Sequence, residues 1–184
     1  MLPDRGRPGA PLRICFVCTG NICRSPSAEV VLRARLAEAG RAGQVVIDSA
    51  GTGPWNVGKD MDPRARQALS RGGYPAPPHI ARQFLAEDFA GRDLVIALDA
   101  GHLARLGQLA RLAGDPAEAA GSISLLRGYD PAAVAAGELD VPDPYYGGEP
   151  EYEAALTQIE AACAGLARLL GDRLDGGGTD SAER

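Results

Sequence analysis

Three of the four cysteines in this chain crowd into one stretch, CFVCTGNICRSPSAE, from Cys15 to Glu29. Thiols this close can bind a metal, form a disulfide, fill a core or supply a nucleophile. Cys15 and Cys18 have the spacing of half a zinc site. The residues around them, LRICFV from Leu12 to Val17, form a short apolar run with the character of a strand. On a strand, residues three apart face opposite ways, so the two sulfurs do not converge. Only two histidines exist, His79 and His102, and no second C-x-x-C occurs, so a fourth ligand is missing. Cys15 therefore reads as a core residue.

Cys18 has a different setting. It ends the strand, and TGNICRS then leads to Ser25-Pro26, which reads as a helix start with Ser as N-cap and Pro at the first helical position. Ligands of open α/β sheets gather at the carboxyl ends of strands. A loop there can aim backbone N–H groups inward, reinforced by the positive end of the helix dipole. Such a cradle stabilises an anion, and it stabilises a thiolate by the same means. Arg24 adds a planar fork suited to two oxygens of a tetrahedral oxyanion. Cys18-x5-Arg24-Ser25 thus brings nucleophile, cradle and clamp together. No Gly-Lys-Ser/Thr is present, which argues against a nucleotide-triphosphate loop.

The elements that must hold this loop alternate. Ala28, Val31, Leu32, Leu36 and Ala39 make a helical stripe closed by Gly40. A second strand is expected over Gln44 to Gly51, a loop over Gly51 to Asp62, and a helix over Asp62 to Gly73. DLVIALD, Asp93 to Asp99, has the continuous apolar character of a strand buried on both faces. Helix is expected from Gly101 to Arg111, and a fourth strand in SISLLRG. A loop with a helical turn near Ala132 follows, then a long helix from Glu149 to Leu170. LAGDPAEAAGS reads as a surface loop. The alternation predicts an α/β fold: one three-layer domain around a central four-stranded parallel sheet, spanning residues 12–171. Residues 1–11 and 172–184 read as flexible tails.

Composition narrows the setting. The 184 residues allow one domain with a real core. A net charge of −5 gives no global basic field for nucleic acid. No apolar run has the length of a membrane span, and the first eleven residues lack the apolar core of a signal peptide. These features, with free thiols, point to the cytoplasm.

FVCTGNICRSPSAE resembles the low-molecular-weight protein tyrosine phosphatases, and closely their actinobacterial members. SAGTGPW at Ser49, DPRA at Asp62, HIARQ at His79, LVIALD ending at Asp99 and DPYYGG at Asp143 follow in matching order. The resemblance spans roughly residues 12–170 and implies a phosphotyrosine phosphatase I-like fold. It implies Cys18 as nucleophile, Arg24 as phosphate clamp and Asp143 as general acid and base. Thr19, Gly20, Asn21, Ile22 and Cys23 would form the phosphate loop. Ser25 would support the leaving thiolate, and Asn21 would hold a strained turn with help from Ser49 and His79. Trp55, Asn56, Tyr145 and Tyr146 would wall an aromatic slot. No cofactor and no metal is implied; the partners are phosphotyrosine-containing proteins, and the chain acts as a monomer or associates weakly. The pairing of Cys18 with Cys23 as a reversible disulfide is likewise an implication of the family.

The chemistry asks for the same set. A thiolate attacking phosphorus forms a covalent intermediate. Arg24 and loop amides count most as charge redistributes in the transition state. A distant carboxylic acid protonates the leaving phenolate, then acts as base toward water. Plainer roles exist as well. Asp143 before a proline can simply start a turn, Trp55 can be a loop aromatic, and His79 suits a structural hydrogen bond. Asp99 can orient the site or cap the next helix. Tyr145 and Tyr146 can be phosphorylation sites, and Cys163 suits a helix core.

Three departures from the family pattern stand out: Asn56 where a histidine often follows the tryptophan, extra length at residues 113–121, and the extra tails. Four other readings compete. A thioredoxin-coupled arsenate reductase needs two more downstream cysteines, where only Cys163 exists. A protein-arginine phosphatase favours a smaller polar residue at Ile22 and lacks the Tyr-Tyr pair. An idle phosphotyrosine-binding module does not need an intact Cys, Arg and Asp set. A Cys-His acyl hydrolase lacks a third group and a motif around His79.

Overall fold

The computed structural model describes residues 10–176. Residues 1–9 and 177–184, which include most of both expected tails, lie outside the described residues. Four strands form one parallel sheet: β1 (Leu12–Cys18), β2 (Val45–Gly51), β3 (Leu94–Ala97) and β4 (Ile123–Leu125), in the order β2-β1-β3-β4. β1 is central. It pairs Leu12 with Val45 through Cys18 with Gly51 on one side, and Ile14 with Leu94 through Val17 with Ala97 on the other. The functional loop thus leaves the middle of the sheet, its best-supported point.

The period-2 pattern of β1 and β3 divides the core. Ile14 and Phe16 of β1, with Leu94 and Ile96 of β3, face α1 (Arg24–Glu38), α2 (Pro63–Arg71) and the long C-terminal helix. Cys15 and Val17, with Val95 and Ala97, face the other layer, which includes α3 (Ala100–Ala110), Phe84 and Phe89. This is the expected parallel sheet buried on both faces. Cys15 and Cys163 are fully buried, as their settings predicted. Among the described residues no helix is long and apolar enough to cross a membrane.

Several boundaries differ from expectation for identifiable reasons. α1 begins at Arg24, so Ser25 is not the N-cap; its hydroxyl is turned toward Cys18 instead. The Asp-Pro pair at Asp115 starts α4 (Pro116–Gly121), where a loop was expected, with the Asp115 side chain accepting from Glu118 N–H. The same device at Asp130 starts α5 (Pro131–Ala136), and Gly137 closes it with a left-handed φ of 72°. β4 is only three residues long because Leu126–Tyr129 coil into a 3₁₀ turn. The final helix, α6 (Glu149–Gly176), continues six residues past Leu170, and Asp175 meets Arg41 at 2.7 Å.

α6 approaches that 3₁₀ turn closely at Gly165. A Cβ there would overlap the Tyr129 carbonyl oxygen, which is backbone and cannot swing away. Gly165→Ala should therefore destabilise the fold by about 1–3 kcal/mol, despite the better helix propensity of alanine. Urea unfolding checks this; an unchanged midpoint would mean that α6 is free to shift.

Candidate active site

The loop from Cys18 to Arg24 is held from outside by its carbonyls. Cys18 O accepts from Thr52 N–H at 2.8 Å, Thr19 O from Gly53 N–H at 3.3 Å, and Ile22 O from Asp62 N–H at 2.8 Å. Asn21 O accepts from His79 Nε2–H at 2.7 Å, and Cys23 O from the Ser27 hydroxyl at 2.8 Å. Every peptide here is trans, so each outward carbonyl sends the next N–H the opposite way. The amides are thus aimed into the enclosed space, as an anion cradle requires. Among the described residues Asn21 is the one non-glycine residue with positive φ, at 56°. Its amide side chain stabilises that turn: Nδ2 donates to Ser25 Oγ at 3.0 Å and Ser49 Oγ at 2.9 Å, while Oδ1 accepts from Arg82 N–H at 3.0 Å. β2 also needs Gly51 here, because a Cβ would stand 2.8 Å from Thr19 O.

Cys18 Sγ lies 3.0 Å from Ser25 Oγ. Ser25 already accepts a proton from Asn21, so its own hydrogen is available to Cys18 or to Ala50 O, 3.2 Å away. A thiolate at Cys18 would take it as a charge-assisted bond. All four cysteines are free thiols. The Cys23 sulfur sits 3.5 Å from the Tyr152 hydroxyl, and burial pushes its pKa up to about 12 against that lowering hydrogen bond.

Arg24 is only 4% exposed and is fixed on both nitrogens. Nη1 meets Asp99 Oδ2 at 2.7 Å and Val141 O at 3.0 Å; Nη2 meets Asp143 Oδ2 at 3.0 Å. Asp99 does both things the sequence left open. It orients Arg24, and it caps α3 by accepting from His102 N–H at 2.8 Å. Burial acts to raise the Asp99 pKa, but the contacts with His102 and Arg24 outweigh it and hold the carboxyl below its ordinary range.

Above the loop lies a cleft of about 240 Å³, floored by Cys18, Thr19, Gly20, Ile22 and Cys23 with Arg24. Trp55, Asn56, Asp143, Tyr145 and Tyr146 rise around it. The Trp55 ring lies against Gly53, where a Cβ would collide with it. Asn56 leans on Gly20 and accepts from Lys59 Nζ at 3.0 Å. Tyr145 and Tyr146 meet edge to face with centroids 5.1 Å apart. Every sequence-predicted residue either lines this cleft or, like Asn21, Ser25, Ser49 and His79, braces its floor. Among the described residues no group of three or more His, Cys, Asp and Glu is placed to hold a metal.

Three contributors were not foreseen. Arg64 of α2 covers Tyr145 at 5.5 Å and bonds Gly147 O at 3.1 Å, tying the Asp143 segment to α2. Arg82 bridges Asp48 and Asp88 at 2.8 and 3.1 Å beneath the strand ends. His102, 4% exposed, reaches Thr19 Oγ1 with Nε2 at 2.8 Å. Only the Asp99-x-x-His102 spacing at a helix start hinted at the last.

Asp99 yields a pH-dependent prediction. A carboxyl with a depressed folded pKa stabilises above its unfolded value near 4. That contribution is lost as pH falls through the folded value. Asp99→Asn, which keeps a cap acceptor, should cost about 2–3 kcal/mol at pH 7 because Arg24 loses its partner. The gap from the parent should narrow below roughly pH 4. Urea melts at both pH values test this, and a gap constant with pH would refute it.

Comparison with known proteins agrees with this geometry. The family model for low molecular weight phosphotyrosine protein phosphatase matches residues 13–175. A low molecular weight protein-tyrosine-phosphatase of Streptomyces coelicolor is 52% identical over 89% of this chain and 96% of its own length. Low molecular weight protein-tyrosine phosphatase A of Mycobacterium tuberculosis is 43% identical over 89% of this chain and 94% of its own. Among solved structures, a protein tyrosine phosphatase from Entamoeba histolytica superposes with a TM-score of 0.78 at 29% identity, covering 90% of this chain and 98% of that one. A Vibrio cholerae low molecular weight phosphotyrosine phosphatase gives 0.77 at 31%, covering 88% and 98%. With a preformed oxyanion loop, a buried arginine and a family match across nearly all described residues, this chain belongs to the low molecular weight phosphotyrosine protein phosphatases.

Proposed function

We propose that the chain hydrolyses phosphotyrosine in proteins through a phosphocysteine. The observation that carries this reading is the placement of Cys18 Sγ beside Ser25 Oγ at the floor of an aromatic-walled cleft, under Arg24 and Asp143. The phosphoryl group enters the cradle, and its oxygens take Arg24 Nη2 and the loop amides in place of Asp143. Cys18 sulfur attacks phosphorus in line, forming the S–P bond as the P–O bond to the phenol breaks. Asp143, freed from Arg24, takes up a proton from solvent and gives it to the departing phenolate oxygen. Asp143 then takes a proton from water as the water oxygen attacks phosphorus. The S–P bond breaks toward Cys18, with the Ser25 hydroxyl donating to the emerging thiolate. Inorganic phosphate leaves.

The cleft walls supply the preference for an aryl ester. Trp55, Tyr145 and Tyr146 give flat faces on which a phenyl ring packs, and Asn56 closes the side where it meets Gly20. We assign the working compartment to the cytoplasm, where four free thiols persist, and the working form to a monomer or a weakly associating chain. A fully buried Cys163 speaks against a thiol relay of the arsenate-reductase kind.

Turnover of phosphotyrosine, phosphoserine and phosphoarginine peptides should favour the first without added metal. Cys18→Ser should remove activity by three orders of magnitude or more, on the order of the loss of a covalent nucleophile. Asp143→Ala should lower kcat by about 10²–10³ for alkyl-substituted phenols, and by much less for a nitrophenol that leaves without a proton. An unchanged dependence on leaving-group pKa would move the acid elsewhere.

The placement of Cys18 and Cys23 in one cleft floor supports a second expectation. Peroxide oxidises Cys18 to a sulfenic acid, and the Cys23 sulfur displaces water from it to form a disulfide. Thiol treatment should then restore the parent protein, and should restore Cys23→Ser far less. Equal recovery in the two would remove the protective role.

A further inference from the structure

Asp99, His102 and Thr19 form a chain that ends on the same guanidinium from which it starts. Asp99 Oδ2 holds Arg24 Nη1 at 2.7 Å. Asp99 Oδ1 lies 3.0 Å from His102 Nδ1, a bent contact that is electrostatic rather than a straight hydrogen bond. His102 Nε2 lies 2.8 Å from Thr19 Oγ1, and Thr19 Oγ1 is within 3.5 Å of Arg24 Nη2. The imidazole is buried, whereas Thr19 is exposed on the cleft floor.

We propose that His102 is a positioning residue that sets the rotor of the Thr19 hydroxyl, and that Thr19 holds the second nitrogen of Arg24 when phosphate is bound. A carboxylate beside Nδ1 keeps the ring proton on that nitrogen. Nε2 then carries a lone pair and accepts the Thr19 O–H. The Thr19 oxygen is left with only lone pairs toward the cleft and Arg24. A free hydroxyl would instead compete for phosphate oxygens or turn its hydrogen against the guanidinium.

The consequence concerns the clamp during turnover. In the structure Asp143 takes Nη2 at 3.0 Å. Phosphate entry withdraws Asp143 and leaves Nη1 fixed by Asp99 and Val141 O, while Nη2 keeps only Thr19. A planar fork pinned at one end swings; pinned at both, it stays aligned with two phosphoryl oxygens. Alignment counts most at the trigonal transition state, where a small misplacement of a charged donor is costly. This inference rests on the phosphoryl-transfer reading above.

Inhibition by orthovanadate, which adopts a trigonal-bipyramidal form, and by inorganic phosphate separates transition-state from ground-state alignment. Thr19→Val should weaken vanadate about tenfold and phosphate by less than about threefold, while Thr19→Ser stays near the parent. His102→Gln should show the same imbalance. The double variant should be no worse than either single one, because both substitutions break one chain. The ratio of the two inhibition constants does not depend on how much protein is folded. An unchanged ratio in Thr19→Val, or additive effects in the double variant, would overturn the proposal. Should His102→Gln not fold, the comparison of Thr19→Val with Thr19→Ser still decides. Failure of the parent protein to turn over phosphotyrosine would instead defeat the underlying reaction.

Discussion

A guanidinium taken almost wholly out of water dictates the arrangement around it. An unpaired charge at that depth would cost several kcal/mol, so Arg24 must be surrounded by acceptors. The fold supplies Asp99 from the end of β3, Val141 O and Asp143 from the segment before α6, and Thr19 from its own loop. These come from three separate parts of the chain. Only the parallel sheet, with β1 at its centre and β3 beside it, brings them to one edge. Asp143 differs from Asp99 and the buried Val141 in being 43% exposed. It is the acceptor able to leave, which suits the acid and base role proposed for it.

The second constraint is the loop itself, which commits its hydrogen-bond acceptors to the surrounding protein. The supports are unrelated in sequence: Thr52 and Gly53 after β2, Asp62 before α2, His79 in the following connection, and Ser27 in α1. Small residues occur where backbone meets backbone, as Gly51 does against Thr19 and Gly20. The aromatic walls are arranged on similar terms. Trp55 rests on Gly53, and Tyr145 lies under Arg64, so each ring has one face covered and one available.

Much of this was legible in the sequence because the signals were local. The apolar run before Cys18, the turn residues after it and the spacing to Arg24 define strand, loop and clamp without any distant contact. The Asp-Pro starts of α4 and α5 were equally local, yet the first was read as a loop because its alanine-rich stretch lacks an apolar stripe. Ser25 misled for a physical reason: a serine ahead of a proline is a good cap, but here its hydroxyl is needed by Cys18 and Asn21. What stayed hidden was long-range. His102 meets Thr19 across 83 residues, and Arg64 meets Gly147 across the same span. No spacing rule reports such pairs. The extra length of α6 was hidden as well, since its last turn is secured by Arg41, far away in the chain.

A cradle with the carbonyls of Cys18, Thr19, Asn21, Ile22 and Cys23 engaged before any substrate arrives needs little further ordering. It is ordered equally well for what enters and for what is left behind. On the mechanism proposed above, free orthophosphate meets the same amides and the same fork that held it as an ester. Rigidity that spares the enzyme an ordering step at the start of each cycle therefore makes it sensitive to its own product. The anion content of its surroundings becomes part of its working speed.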